Sequence, residues 1–347
     1  MEIHLIFTQN NKLKVSIFNN QFQHGDFKIC FSLVYSIQAV QGGSIVKKVG
    51  RYYEINSEQD EIFFSLQEPR IGSYNLSCGP EGLFVLDKND IKIECKIIPL
   101  KFENPIPKIE YSEDSDNIFN PIIPLPNNLK LKKETVQIKD LIFKISSSEK
   151  GFFDNFENLV KVSNIKFNTL TGFPIVFTKK QLQSEEYKIT IDKNLITIHY
   201  SDYGGKFYSI ISLIQLLNYC KSNLPLGLIQ DSPALNWRGM HLDCARQFYS
   251  IDEIKRLLDY MSFFKLNRFH WHLTDNEAWR VELQCYPNLT KVGAFRGYNE
   301  AIPPFYGTGY HKSGGYYSRT EIKELIEYAK LRNIEIMPEI DLPAHSW

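Results

Sequence analysis

From residue 233 onward the sequence alternates short β-rich runs with amphipathic helical ones, and nothing else constrains the fold as strongly. Trp237–Asp243 reads as a strand. Ser250 then caps a helix, with Glu253 three residues on as its capping-box partner. Ile254, Leu257, Leu258 and Met261 share one face of that helix, which runs to about Lys265. Arg268–Leu273 is a second strand. Ser318-Arg319-Thr320-Glu321 opens a second helix ending near Arg332, and Ile334–Ile340 is a third strand. Helices between strands carry the chain back across the sheet, so the strands are expected to run parallel.

In parallel α/β folds the carboxyl ends of the strands carry the chemistry. The first strand ends in Asp243-Cys244-Ala245-Arg246 and the second in His270-Trp271-His272-Leu273-Thr274-Asp275-Asn276-Glu277. The third ends in Glu339-Ile340-Asp341-Leu342-Pro343-Ala344-His345. Each end joins an acid to an arginine or an imidazole. Bland readings stand beside the functional one. Asp243 and Arg246 form a structural ion pair, or His270 and His272 are a buried hydrogen-bonded pair. Being two apart on one strand face, the two histidines could also ligate a metal together with Asp275. Glu339 and Asp341 share a face and could be an internal polar layer. Asp252-Glu253 lies in a first helical turn, where acids favour the dipole, and reads as capping. A loop of roughly 40 residues follows the second strand, far beyond the usual ~4–6. It holds Gly307, Gly309, Gly314 and Gly315 with Phe305, Tyr306, Tyr310, Tyr316 and Tyr317. Such a loop reads as the wall of a site, and aromatic rings among carboxylates suit a sugar; packing is the competing explanation for the tyrosines.

Upstream the character changes twice. Residues 1–98 carry short runs rich in Ile, Val, Phe and Tyr: Ile3–Phe7, Lys12–Phe18, Phe27–Tyr35, Arg51–Ile55 and Ile91–Ile98. Turn residues separate them, which predicts a β-sandwich. Residues 99–127 hold Pro99, Pro105, Pro107, Pro121, Pro124 and Pro126 and read as a linker, with a strand near Ile109. In 128–232, Leu141–Ser146, Ile175–Thr178, Tyr187–Asp192 and Leu195–Tyr200 predict strands. Lys206–Tyr219 predicts a helix with Phe207, Ile210, Leu213 and Leu217 inward. That is a small α+β domain.

Composition narrows the function. The 347 residues carry 40 Lys+Arg against 40 Asp+Glu, and a neutral chain lacks the cationic excess that non-specific nucleic-acid binding needs. The 43% hydrophobic content supports sizeable cores. No apolar run nears the ~20 residues that span a bilayer. The first residues read as a strand, with no basic leader, and a cytoplasmic location is expected. Cys30, Cys78, Cys95, Cys220, Cys244 and Cys285 are scattered and read as free thiols.

At these strand ends the sequence resembles glycoside hydrolase family 20, the β-N-acetylhexosaminidases of chitobiase type. The resemblance rests on Trp-Arg-Gly-Met-His-Leu-Asp-Cys-Ala-Arg (237–246), Asn-Arg-Phe-His-Trp-His-Leu-Thr-Asp-Asn-Glu-Ala-Trp-Arg (267–280), Gly-Gly-Tyr-Tyr-Ser (314–318) and Pro-Glu-Ile-Asp-Leu-Pro-Ala-His-Ser (338–346). It implies an N-terminal β-sandwich, an α+β middle domain, and then the first three β/α units of a (β/α)8 TIM barrel over 233–347. It implies that Arg246 hydrogen-bonds hydroxyls of a terminal GlcNAc or GalNAc. Asp275 and His345 would join the network beside the catalytic acid, with His272, Asp243, Glu339 and Asp341 in support. It implies no metal and no cofactor. The mechanism is substrate-assisted: a glutamic acid protonates the glycosidic oxygen, the substrate's 2-acetamido carbonyl attacks the anomeric carbon, and an aspartate orients that amide. Asn276 stands where many members have Asp, and Ala344 where Gly is usual.

The family's Asp-Glu pair ends a fourth strand, and this sequence reaches only the third. A full barrel takes about 250 residues, whereas 237–347 supplies 111. The expectation is therefore a truncated member, possessing sugar-positioning groups but no catalytic acid, inactive alone, whose barrel a missing C-terminal segment would complete. Two other classes stay open: a non-catalytic sugar-binding protein using the sandwich, and a metal-dependent hydrolase built on His270 and His272.

Overall fold

A computed structural model describes residues 1–8, 12–67, 79–102, 121–154, 156–160, 164–306 and 308–345. Its first part is two five-stranded sheets. One runs in the order Lys96–Phe102, Glu2–Phe7, Lys12–Phe18, Glu61–Leu66, Ile37–Gln41. The other runs Gly43–Val49, Tyr52–Ser57, Phe27–Ser32, Glu81–Asp87, Lys92–Ile93. Alternation drives the packing: Ile3, Leu5 and Phe7 point inward to meet Leu13, Val15, Ile29, Phe31 and Phe64 in one core.

Several strands lie outside the five runs read from sequence. Gly43–Val49 is exposed along almost its whole length, so no period-two pattern marks it. Ile37–Gln41 buries only its first residue. Glu61–Leu66 does alternate, with Ile62, Phe64 and Leu66 buried. The run Ile91–Ile98 is two strands, Lys92–Ile93 and Lys96–Phe102, in opposite sheets. The second pairs parallel with Glu2–Phe7 and carries regular structure into the stretch read as linker. The strand expected near Ile109 and the residues Cys78 and Gly307 lie outside the described residues.

The middle part is a seven-stranded mixed sheet, in the order Asn128–Gln137, Asn223–Asp231, Tyr187–Ile191, Ile196–Tyr200, Phe173–Lys179, Ile142–Lys144, Lys166–Asn168. The helix Tyr203–Cys220 lies on it. Asp202 caps the helix by accepting from the Gly205 N–H at 2.9 Å. A Cβ on Gly205 would stand 2.4 Å from the Glu186 carbonyl oxygen, so this approach requires glycine. Ile211, Ile214 and Gln215 are buried as well as Phe207, Ile210 and Leu213. A helix apolar on both sides is a layer between two others. Gln215 shows the second neighbour, since its amide donates to the Phe263 carbonyl at 2.6 Å.

Phe263 ends the helix Ile251–Phe263 of the last part. There Gly239–Asp243, Arg268–His272 and Glu335–Glu339 form a three-stranded parallel sheet in that order. The expected capping box of Ser250 with Glu253 is present at the start of Ile251–Phe263, and Ser318 with Glu321 forms a second one at the start of Arg319–Lys330. Ile254, Leu258, Met261, Leu325 and Ala329 of these helices pack on Phe269 and Trp271. The long connection after His272 is ordered by two short ladders, Thr274–Asp275 with Ala278–Trp279 and Phe295–Arg296 with Ser313–Gly314. Five described cysteines are free, Cys30 and Cys244 buried among them. No described helix is long and apolar enough to cross a membrane.

Ser318→Ala removes the acceptor for the Glu321 N–H and the partner of its carboxylate. It is expected to cost about 1 kcal/mol, read as a lower urea midpoint at unchanged slope. A midpoint equal to wild type would show that Glu321 caps the helix without it.

Candidate functional site

Parallel register levels the three strand ends. Asp243 pairs with His272, and His272 with Glu339. After Asp243 the chain turns at once: the Asp243 carboxylate accepts the N–H groups of Ala245 and Arg246, each at 3.0 Å. That turn swings the Arg246 side chain back across the strand ends. Its Nη1 donates to Asp243 at 2.9 Å, its Nε donates to Glu277 at 3.0 Å, and its Nη2 pairs with Asp275. One guanidinium therefore gathers three carboxylates from two strand ends.

Asp275 is buried and multiply held. It accepts the Asn276 N–H at 2.7 Å and faces His345 Nδ1 at 3.1 Å and His272 Nε2 at 3.2 Å. Burial alone would raise its pKa; the Asn276 N–H, the two histidines and Arg246 outweigh burial and lower it. Glu277 shifts the other way, because burial raises its pKa and the field of Asp275 adds to that against Arg246. Arg246 is raised: burial opposes its charge, and the surrounding carboxylates, Asp243 first, prevail.

A second cluster adjoins the first through His272. Its Nδ1 lies 2.8 Å from Glu339 Oε2, which also meets His270 Nε2 at 2.7 Å, with His241 Nε2 at 3.7 Å. Burial disfavours the His272 cation, but the Glu339 hydrogen bond and neighbouring carboxylates raise its pKa. Glu339 answers with a lowered pKa, since those imidazoles overcome the effect of burial. With both ring nitrogens facing carboxylates, His272 sits as a bridge between Asp275 and Glu339.

The structure thus brings together Arg246, Asp243, Asp275, His272, Glu339 and His345. Asp341 joins through its backbone, whose N–H donates to Thr274 Oγ1 at 3.0 Å. Its carboxylate lies near Asp275 and His345. Ligand-type atoms converge in His241/His270/Glu339, His272/Glu339/Asp341 and Asp275/Asp341/His345. The trio His270, His272 and Asp275 is not such a set among the described residues; His270 turns to Glu339 instead. A cleft of about 530 Å³ opens beside Asp275 and His345, walled by Trp279, Tyr286, Ile302 and Leu342.

Sequence reasoning assigned no role to Glu277, the third carboxylate on Arg246, or to Arg280. Arg280 is almost wholly buried and donates to the carbonyls of Cys244, Ala245, Ala294 and Gly315 at 2.5–3.0 Å. Burial lowers its pKa to about 10. The loop aromatics divide. Tyr317 is core and donates to the Tyr249 carbonyl. Phe305, Tyr298, Ile302, Tyr306 and Tyr310 pack on Tyr52, Phe84 and Leu86 of the first part. The two Asp-Glu dipeptides sit elsewhere: Glu253 in its capping box, and Glu61 at a strand start beside Lys14.

Residues 235–347 match the family model "Glycosyl hydrolase family 20, catalytic domain", and residues 120–232 match "Glycosyl hydrolase family 20, domain 2". A β-hexosaminidase of Vibrio furnissii is 30% identical over 321 residues, covering 87% of this chain and 52% of its own length. An N,N'-diacetylchitobiase of Vibrio harveyi is 32% identical, over 71% of this chain and 30% of its own. The chain thus spans about half or less of these relatives. The crystal structure of an exo-β-N-acetylglucosaminidase of Vibrio harveyi with N-acetylglucosamine superposes on 99% of this chain and 57% of its own, with TM-score 0.80 at 27% identity.

The His272–Glu339 pair predicts a pH signature. A raised histidine pKa contributes stability below the ordinary 6.5 and loses it as pH rises through the raised value. A lowered carboxylate pKa contributes above the ordinary 4.5 and loses it as pH falls through the lowered value. Both contributions are complete between those limits. His272→Gln should cost about 1–3 kcal/mol there, and less on either side, in urea titrations from pH 3 to 9. A cost flat across that range would show that the pair is not charged.

Proposed function

This chain belongs to glycoside hydrolase family 20, and from that premise we propose that it forms the sugar-positioning part of a β-N-acetylhexosaminidase acting on terminal, non-reducing GlcNAc or GalNAc. The observation that carries the reading is Arg246, a guanidinium held at the mouth of three strand ends by Asp243, Asp275 and Glu277. A planar fork locked among carboxylates offers donors and acceptors side by side, the pattern that adjacent sugar hydroxyls require. The aromatic-walled cleft beside Asp275 and His345 adds an apolar surface for a sugar face.

In this reading His272 and His345 hold Asp275 ionised and oriented, and Glu339 holds His272. The three strands are the opening units of a (β/α)8 barrel. Protonation of the glycosidic oxygen and orientation of the 2-acetamido group fall to an Asp-Glu pair that the 347 residues do not place at the site. The 347-residue polypeptide therefore binds sugar without cleaving it. The relatives' names support the substrate class, since they include a diacetylchitobiase and a structure holding N-acetylglucosamine.

The test uses the 347-residue polypeptide itself. GlcNAc should show saturation-transfer contacts that Arg246→Ala reduces at least tenfold, while p-nitrophenyl-GlcNAc stays intact. Binding undiminished in Arg246→Ala would remove the sugar role of that residue. Release of nitrophenol by the pure chain would show that a catalytic acid lies within these residues after all.

A further inference from the structure

A hairpin turn of the sandwich meets the long loop beside the site. Gly50 and Arg51 connect Gly43–Val49 to Tyr52–Ser57. Gly50 has φ +57°, and a Cβ there would stand 3.3 Å from Phe305 Cζ, so the turn lies directly against the long loop. Arg51 Nη1 donates to the Tyr306 hydroxyl at 2.6 Å, and its guanidinium carbon is 5.4 Å from the centre of that ring. Tyr306 has φ +47°, a left-handed conformation that a bulky residue keeps only when its surroundings hold it there.

An apolar seal backs the contact. Phe84 meets Tyr298 and Tyr310 edge-on at 5.9 and 5.5 Å, and Phe305 is buried beside Tyr52 and Leu86. From that seal the loop leads to the sugar site in a few bonds. Gly297 N–H donates to the Ile302 carbonyl at 3.2 Å, and Arg296 bridges to Ile302. Arg296 Nη2 then donates to the Arg246 carbonyl at 2.7 Å. Burial raises the Tyr306 pKa, and the fields of Glu277, Arg246 and Asp275 act on its phenol along with that of Arg51. Tyr306 thus belongs to the same loop that Arg296 ties to the Arg246 backbone.

We propose that Arg51 is a positioning residue of the sugar site: it holds Tyr306, and with it the loop that Arg296 ties to the Arg246 backbone, so the sandwich braces one wall of the site rather than serving as a separate sugar-binding module. The sugar part of this inference rests on the reading of Arg246 given above. The docking part rests only on the contacts between the turn and the loop. The whole-chain superposition with the Vibrio harveyi structure, sandwich included, agrees with a fixed placement of the two parts.

Hydrogen exchange on the 347-residue chain separates the two. The Tyr298 N–H to Tyr310 carbonyl bond and the Thr308 N–H to Phe305 carbonyl bond report loop docking. In Arg51→Ala these amides should exchange about tenfold faster, the loss expected for one charge-assisted hydrogen bond. The strands Phe27–Ser32 and Arg268–His272 should keep wild-type protection. Arg51→Lys should fall between, because an ammonium still donates to the phenol but does not lie flat on the ring. Tyr306→Phe, which keeps the ring and removes the hydroxyl, should loosen the same amides. Unchanged loop exchange in Arg51→Ala and Tyr306→Phe overturns the proposal. GlcNAc titration supplies the second arm. Arg51→Ala and Tyr306→Phe should weaken binding several-fold and to a similar extent. Wild-type affinity in a variant whose loop has loosened also overturns it. Absence of GlcNAc binding by the wild type would sink the Arg246 reading, and the exchange result alone then decides whether Arg51 holds Tyr306.

Discussion

The site depends on one buried cation. Removing a guanidinium from water is costly unless its donors are matched, and Arg280 meets that condition with four carbonyls. Two of them, from Cys244 and Ala245, follow the first strand of the parallel sheet; the other two, from Ala294 and Gly315, belong to the long loop. The same residue's backbone ties Leu273 to Tyr317, donating to one carbonyl and accepting from the other residue's N–H. A single residue, through side chain and backbone together, thus fixes a strand end, a strand exit and both sides of the loop ladder Phe295–Arg296 with Ser313–Gly314. Arg246 follows Ala245 directly, so its starting direction is set by this clamp. Loss of the clamp would release the turn that aims Arg246 at its carboxylates.

Register does the rest. A parallel pairing shifted by one residue would turn every side chain of a strand to the other face. Here Phe269 and Trp271 face the helices while His270 faces away, and His272 at the strand end reaches Glu339 on one side and Asp275 on the other. Trp271 packs on Tyr317 and on Phe269 on the apolar face, opposite the polar row that the register brings level. Packing and chemistry are therefore two readings of one alignment.

What was legible in the sequence follows this division. Capping boxes at Ser250 and Ser318, helix faces and the three strand-end motifs are local signals, and local physics places them. The edge strand Gly43–Val49 gave no signal, because a strand solvated on both faces has no hydrophobic period to show. The loop tyrosines were ambiguous for a different reason. Tyr306 and Tyr310 are neither core nor free wall; they meet Tyr52 and Phe84, more than two hundred residues away in the chain. Arg280 and Arg51 were silent because their partners are backbone carbonyls and a distant phenol, which no spacing rule encodes. The residues that touch within a strand end were readable, and the residues that hold one strand end to another were not.

The electrostatics of Arg246 bear on how such a site would take a polyol under the proposed function. Its five N–H groups are mostly committed to Asp243, Asp275 and Glu277, with His272 Nε2 at 3.3 Å from Nη1. A sugar hydroxyl therefore does not meet a bare cation. It meets an edge where a remaining guanidinium N–H alternates with carboxylate oxygens, so one hydroxyl accepts while its neighbour donates. The opposite shifts of Asp275 and Glu277 fit this role: Asp275, held by histidines and a backbone N–H, keeps its charge, whereas burial makes Glu277 the easier of the two to protonate. A protonated Glu277 would donate where an ionised one accepts.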